Sequence, residues 1–268
     1  MNSTKAIIML LSIFLFSSCK AQEDVHSKTS TKNKAHWISL FNGKDLEGWI
    51  VKIKGHPLGD NYKNTFRVVN GMLQVNYDEY DDFNNAFGHL FYKKPFSSYR
   101  LKLEYRFLEK QVKGGQGWAE RNSGIMIHSQ APETMGLNQD FPVSVEVQLL
   151  GGIKKGVSRP TANVCTPGTH IVMHDTLIKK HCINSSSETY YGNQWVAVEV
   201  LVIKDSIISH YVNGKEVLSY AKPQIGGDYN TLKSQEGQLL TEGYISLQSE
   251  SHPIEFKKIE LLEIEPDN

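Results

Sequence analysis

Apolar and polar residues alternate one by one along much of this chain. In "DFPVSVEVQLLGG" (140–152), Val143, Val145, Val147 and Leu149 fall on one side of an extended chain, and Ser144, Glu146 and Gln148 fall on the other, because successive side chains of a strand point to opposite faces. "YRLKLEYRF" places Leu101, Leu103, Tyr105 and Phe107 opposite Lys102, Glu104 and Arg106. "NSGIMIH" sets Ser123, Ile125 and Ile127 against Asn122, Gly124, Met126 and His128. In "WVAVEVLVIKDSIISHYVNGKEVLSY", "KDS" and "NG" read as hairpin turns. No long stretch carries a helical period, and glycine-containing turn signals recur throughout. Many short strands at about 8–15-residue spacing predict an all-β fold, a jelly-roll sandwich of two antiparallel sheets. Neither an internal repeat nor a linker interrupts the pattern after residue 36.

The start of the chain reads differently. "MNSTKAIIMLLSIFLFSSC" has Lys5, an apolar run from Ala6 to Phe16, then small residues, the layout of an export signal. Its apolar run is shorter than the about 20 residues that span a bilayer. Phe16-Ser17-Ser18-Cys19 resembles a bacterial lipobox, with Phe16 where Leu is usual, and would make Cys19 the lipidated N-terminus. A plain secretory signal is the alternative. Residues 1–18 are thus expected to be a lipoprotein signal and 19–36, polar apart from Val25, a flexible tether. The globular domain is expected over 37–265, exported and lipid-anchored to a bacterial membrane on its periplasmic or cell-surface side.

The chain holds 29 basic and 29 acidic residues, and loss of residues 1–18 removes only Lys5. Such a balance offers no basic field for nucleic acid. After processing, Cys165 and Cys182 remain. In an oxidising setting they could pair and close a loop of about 17 residues, worth roughly 3 kcal/mol; two unpaired buried thiols are the other reading.

Were the three alternating strands neighbours, Glu104, Arg106, Asn122, His128, Glu146 and Gln148 would meet on one polar face. Amides, carboxylates and guanidinium groups suit a hydroxyl-rich ligand, and Trp118 in the glycine-rich loop before them would supply a stacking surface. Each residue alone also fits an ordinary solvated or structural role. The histidines of "CTPGTHIVMHDTLIKKHC" invite a zinc reading. "THIVMH" reads as a strand, however, which would put His170 and His174 about 13 Å apart at about 3.3 Å per residue, too far for one ion. A divalent cation on carboxylate and carbonyl oxygens is left open, although no EF-hand-like loop is present. Nucleophile-elbow, P-loop and dinucleotide motifs are all missing.

"LFNGKDLEGW", "FRVVNGMLQV", "YRLKLEYRF", "RNSGIM", "VEVQLLGG", "WVAVEVLVIKDSIISHYVNGKEVLSY" and "GYISLQSESHPIEFKKIELL" stand in this order between Trp37 and Ile264. In this the chain resembles the domain-of-unknown-function-1080 family, also called the 3-keto-disaccharide hydrolase or 3-keto-glucoside 1,2-lyase/hydratase family. The resemblance implies a concanavalin A-like jelly roll, bacterial export, and cleavage of glycosides already oxidised at C3. It supplies Asn122, Ser123, Gly124, Glu146 and Gln148 as matching positions without assigning their jobs.

The implied reaction needs a base for the C2 proton, charge stabilisation for the enolate, and a proton donor for the leaving oxygen. Glu146 or His128 are the candidates for base and acid, and Arg106 or a divalent cation for the enolate. Asn122, Gln148, Glu104 and Trp118 are expected to bind substrate. "QAPETMGLNQDFP" and the "RPTANVCTPGTH…HC" segment look longer than usual for the family and are expected to rim the trough. A non-catalytic carbohydrate-binding module, or a conventional glycosidase with two carboxylates, would use the same face.

Overall fold

The computed structural model describes residues 36–265, with residue 109 left out. The expected signal, Cys19 and nearly all of the expected tether lie outside the described residues. Strands are numbered in chain order. The larger sheet runs β11 (Thr176–Ile178), β10 (Thr169–Met173), β15 (Lys215–Ile225), β14 (Ile207–Val212), β13 (Val196–Ile203), β6 (Ser98–Phe107), β17 (Ile254–Glu263), β4 (Met72–Val75) and β3 (Phe66–Val69); β1 (Ile38–Ser39) also pairs with β17. The smaller sheet runs β12 (Cys182–Ile183), β9 (Asn163–Cys165), β8 (Val145–Leu150), β7 (Asn122–Ser129), β16 (Tyr244–Ser249), β5 (Gly88–Tyr92) and β2 (Trp49–Ile53). Every ladder in both sheets is antiparallel.

Alternation explains which face goes inside. Leu101, Leu103, Tyr105 and Phe107 of β6 meet Ile125 and Ile127 of β7 and Val145, Val147 and Leu149 of β8 in one buried cluster, the interdigitated layer that holds a sandwich together. Burying each of these large side chains contributes about 1.5–3 kcal/mol. Both expected hairpins form. Lys204-Asp205-Ser206 joins β13 to β14, and Asn213-Gly214, both with positive φ (49° and 80°), joins β14 to β15, as a tight two-residue turn requires. Cys165 and Cys182 form a disulfide between facing positions of β9 and β12. Among the described residues, the short helical pieces are single 3₁₀ turns. Among the described residues, no helix is long and apolar enough to cross a membrane.

Candidate active site

The outer face of the smaller sheet is roofed by loops, and its polar residues are buried. Asn122 and Gly124 (β7), Glu146 and Gln148 (β8) and Gln248 (β16) share this face, with Glu250 just past the end of β16. In register, Glu146 faces Met126 on one side and Cys165 on the other, and Gln148 faces Gly124 and Asn163. Trp118, Phe141 and Tyr229 come from three separate loops. With the Cys165–Cys182 disulfide they wall a cavity of about 270 Å³ whose floor includes Asn122, Glu146, Gln148 and Glu250.

Two carboxyl groups sit together here. Glu146 and Glu250 are only 6% and 3% exposed. Burial pushes the Glu146 carboxyl up to about 8. Burial also pushes Glu250 well above the carboxylate range; the neighbouring Glu146 adds to this, and Arg159 opposes it. Two close carboxylates out of water resist double ionisation, so the pair keeps a proton at neutral pH and titrates as a unit. Gly124 permits the arrangement. A Cβ there would lie 2.6 Å from Glu146 Oε1 and 2.7 Å from its Cγ, so the Glu146 side chain occupies the space above Gly124 on the strand between β8 and β16.

Two floor atoms have no protein partner, Asn122 Oδ1 and Glu250 Oε2, and beside them on the same sheet face neither Nε2 nor Oε1 of Gln248 has one. Buried polar groups are nearly always hydrogen-bonded, so a run of unpartnered ones in a cavity marks a surface built for a polar ligand. A second network fixes Gln148. The Ser185 backbone N–H donates to Asn163 Oδ1 (2.8 Å), so Asn163 Nδ2 donates to Gln148 Oε1 (3.0 Å). With its oxygen engaged, Gln148 offers its Nε2 as a donor.

Charged side chains brace the walls. Lys52 Nζ donates to the carbonyls of Ile53, His56 and Leu137 (3.0, 3.2 and 3.1 Å), tying down the loop that carries Phe141. Arg159 donates to the carbonyls of Gly151 (2.7 Å), Arg121 (3.2 Å) and Trp118 (3.3 Å), fixing the Trp118 turn.

Of the residues expected from sequence, Trp118, Asn122, Glu146 and Gln148 are brought together. Glu104, Arg106 and His128 are not. β6 lies in the larger sheet between β13 and β17, so it is not a neighbour of β7. On that sheet's outer face, Arg106 pairs with Glu255 (2.7 Å) and Glu104 with Lys257 (3.1 Å) and Lys258. The two lysines hold the Glu104 carboxyl below its usual range. His128 lies at a register shift, where φ is 48° and two residues of β7 oppose one of β16. Such a bulge re-aims a side chain, and the His128 ring Nε2 lies 3.0 Å from the Lys204 carbonyl oxygen instead of in the cleft. A larger open groove, about 520 Å³, runs beside Arg106, Lys110 and Asn193, but none of its lining side chains leaves a buried polar atom unpartnered.

Glu250 and Gln248 are the residues that the strand reading passes over, although "YISLQSE" alternates just as "VEVQLL" does. Phe141, Tyr229 and His181 sit on loops, where no period announces them. The two long segments do rim the cavity: the first carries Phe141, and the second carries Pro167, His181 and the disulfide. Among the described residues, no group of three or more His, Cys, Asp or Glu side chains is placed to hold a metal ion.

Comparison with known proteins agrees with this architecture. The chain is similar to a protein from Parabacteroides distasonis ATCC 8503 provisionally named a glycosyl hydrolase, at 18% identity and a TM-score of 0.52, covering 86% of this chain and 95% of that one. A second protein so named from the same organism matches at 17% identity and a TM-score of 0.51, covering 85% of this chain and 100% of that one. At such identities the likeness speaks for the shared fold alone. No curated protein matches the sequence. Residues 36–262, nearly the whole described region, match the 3-keto-alpha-glucoside-1,2-lyase-like domain, and the chain therefore belongs to that family of carbohydrate-processing domains.

Proposed function

We propose that this protein cleaves 3-keto-glycosides by elimination followed by hydration. The observation that carries the reading is the buried Glu146–Glu250 pair in a cavity whose floor has unpartnered polar atoms. A ketone at C3 acidifies the C2–H bond, and a carboxylate raised to about 8 is a stronger base than an ordinary one and closer to the working pH. Glu146 takes the C2 proton, and the electron pair moves into a C2=C3 enolate. The enolate then reforms the C3 carbonyl as the C1–O bond breaks, leaving a C1=C2 double bond. Glu250, which holds its proton more tightly, delivers it to the departing oxygen. Water adds at C1 and a proton returns to C2, so the net result is hydrolysis. Gln148 Nε2 donates to developing negative charge, and Asn122 Oδ1 accepts from a sugar hydroxyl.

A paired carboxylate also fits a conventional glycosidase, which would need one of the two ionised at ordinary pH beside a cationic transition state; their raised values argue against that. Incubation in D₂O with a 3-keto-glucoside and with its unoxidised parent separates the readings. Cleavage of the keto substrate alone, with deuterium at C2 of the product, is expected. Cleavage of the parent favours the glycosidase, retention of C2–H sinks the elimination, and binding without product leaves a carbohydrate-binding module. Export with a lipid on Cys19 is part of the proposal, supported by the N-terminal sequence and by the disulfide, which oxidising compartments favour.

A further inference from the structure

The cavity is small. At about 270 Å³ it falls below the roughly 300–1,000 Å³ of sites that enclose drug-sized ligands, and its polar floor spans only a few residues. It suits one sugar ring. Whatever that ring is bonded to must lie outside, at the mouth.

Trp118 and Tyr229 line that mouth, 54% and 51% exposed. Among the described residues, they are the only aromatic side chains in the exposed large apolar set. Solvent exposure forfeits the burial for which aromatic residues are usually used. Both are nonetheless held in place. Trp118 stacks against Phe87 (centroids 6.2 Å, planes 17° apart), and Arg159 grips its carbonyl. Tyr229 stands edge-on to Phe141 (5.5 Å, 88°) and beside His181 (5.6 Å). Its φ of 62° is uncommon for a bulky residue, so the surrounding loop dictates its direction. Two ordered, half-exposed rings at one opening are what a stacking platform requires.

We propose that Trp118 and Tyr229 select the leaving group: a flat-faced one, a second pyranose or an aryl ring, docks on them while the oxidised ring fills the cavity. This rests on the cleavage reading above, and its test separates the two. The readout is the preference for a phenyl over a methyl leaving group. It is taken from kcat/KM on the two 3-keto-glucosides, and from calorimetric affinity for the two unoxidised glucosides. Leaving-group chemistry is the same in every variant, so it cancels when preferences are compared. Trp118→Ala and Tyr229→Ala should each lower the preference about fivefold to tenfold, the scale of an aromatic stacking contact. An unchanged preference in both variants, with the keto-glucosides still cleaved, overturns the platform. Absence of cleavage of either keto-glucoside, with the affinity preference present in the native protein and lost in the variants, sinks the reaction and supports the platform.

Discussion

The two sheets carry outer faces of opposite kinds. On the larger one, charges lie across strands from opposite charges: Arg106–Glu255 at 2.7 Å, Lys102–Glu260 at 2.9 Å, Lys257–Glu104 at 3.1 Å. Apart from the buried Glu255, these groups stay partly wet, and the two wetter pairs contribute little, about 0–1 kcal/mol each. On the smaller sheet, Glu146 and Glu250 are two carboxyl groups side by side under a roof of loops, with neighbouring polar atoms unpartnered. Both faces are built by the same alternation of polar and apolar residues. What separates a solvated surface from a candidate site is the cover and the sign of the neighbour, and neither is a property of the strand itself.

The sharpest break in this contrast is Glu146→Gln. It should cut turnover of a 3-keto-glucoside at least a hundredfold, the lower range for general acid–base catalysis. In the native protein, kcat should rise with pH as the pair loses its first proton near 8; a flat profile would remove Glu146 as the base. The same variant has a stability signature. The Glu146 carboxyl has its folded value raised above its ordinary 4.5, so its favourable contribution is complete below about 4.5 and is lost as pH rises through about 8. Glu146→Gln should therefore melt close to the native protein at pH 5 and above it at pH 9, by roughly 2–4 °C per kcal/mol relieved. Calorimetric scans at the two pH values decide this.

A smaller effect should come from Gly124→Ala. Its backbone tolerates alanine, but the new methyl would lie 2.6 Å from Glu146 Oε1 and 2.7 Å from its Cγ, too close for the side chain to stay where it is. A loss of activity of about tenfold or more is expected, from displacing a reacting group by a fraction of an ångström, with the fold retained. Activity at the native level would show that the carboxylate does not need that space. Arg106→Ala should affect the reaction least. Turnover should stay within twofold while stability falls by about 1–3 kcal/mol, because Glu255, 4% exposed, loses its cation. A large loss of kcat with an unchanged melting point would return Arg106 to the chemistry.

The sandwich was legible because its strands alternate and its hairpins carry the turns they need. Most of the floor was legible for the same reason: "VEVQLL" and "NSG" place Glu146, Gln148 and Asn122 on one face, as found. The error came in deciding which strands are neighbours. Sequence order puts "YRLKLEYRF" just before "NSGIMIH", yet the chain crosses from one sheet to the other between them, carrying Glu104 and Arg106 away. For His128 the alternation itself fails, because one extra residue at the bulge turns the ring elsewhere. Phe141 and Tyr229 had no signal, since loop residues obey no period and are placed by packing.

The disulfide has a chemical consequence as well as a mechanical one. Cys165 stands directly across from Glu146. Had a serine or threonine stood there, its hydroxyl could have solvated the carboxylate and made it more acidic. Disulfide sulfur has no proton to give. The cross-link that ties down the edge strand thus also leaves that flank of the glutamate dry, and helps to keep it basic.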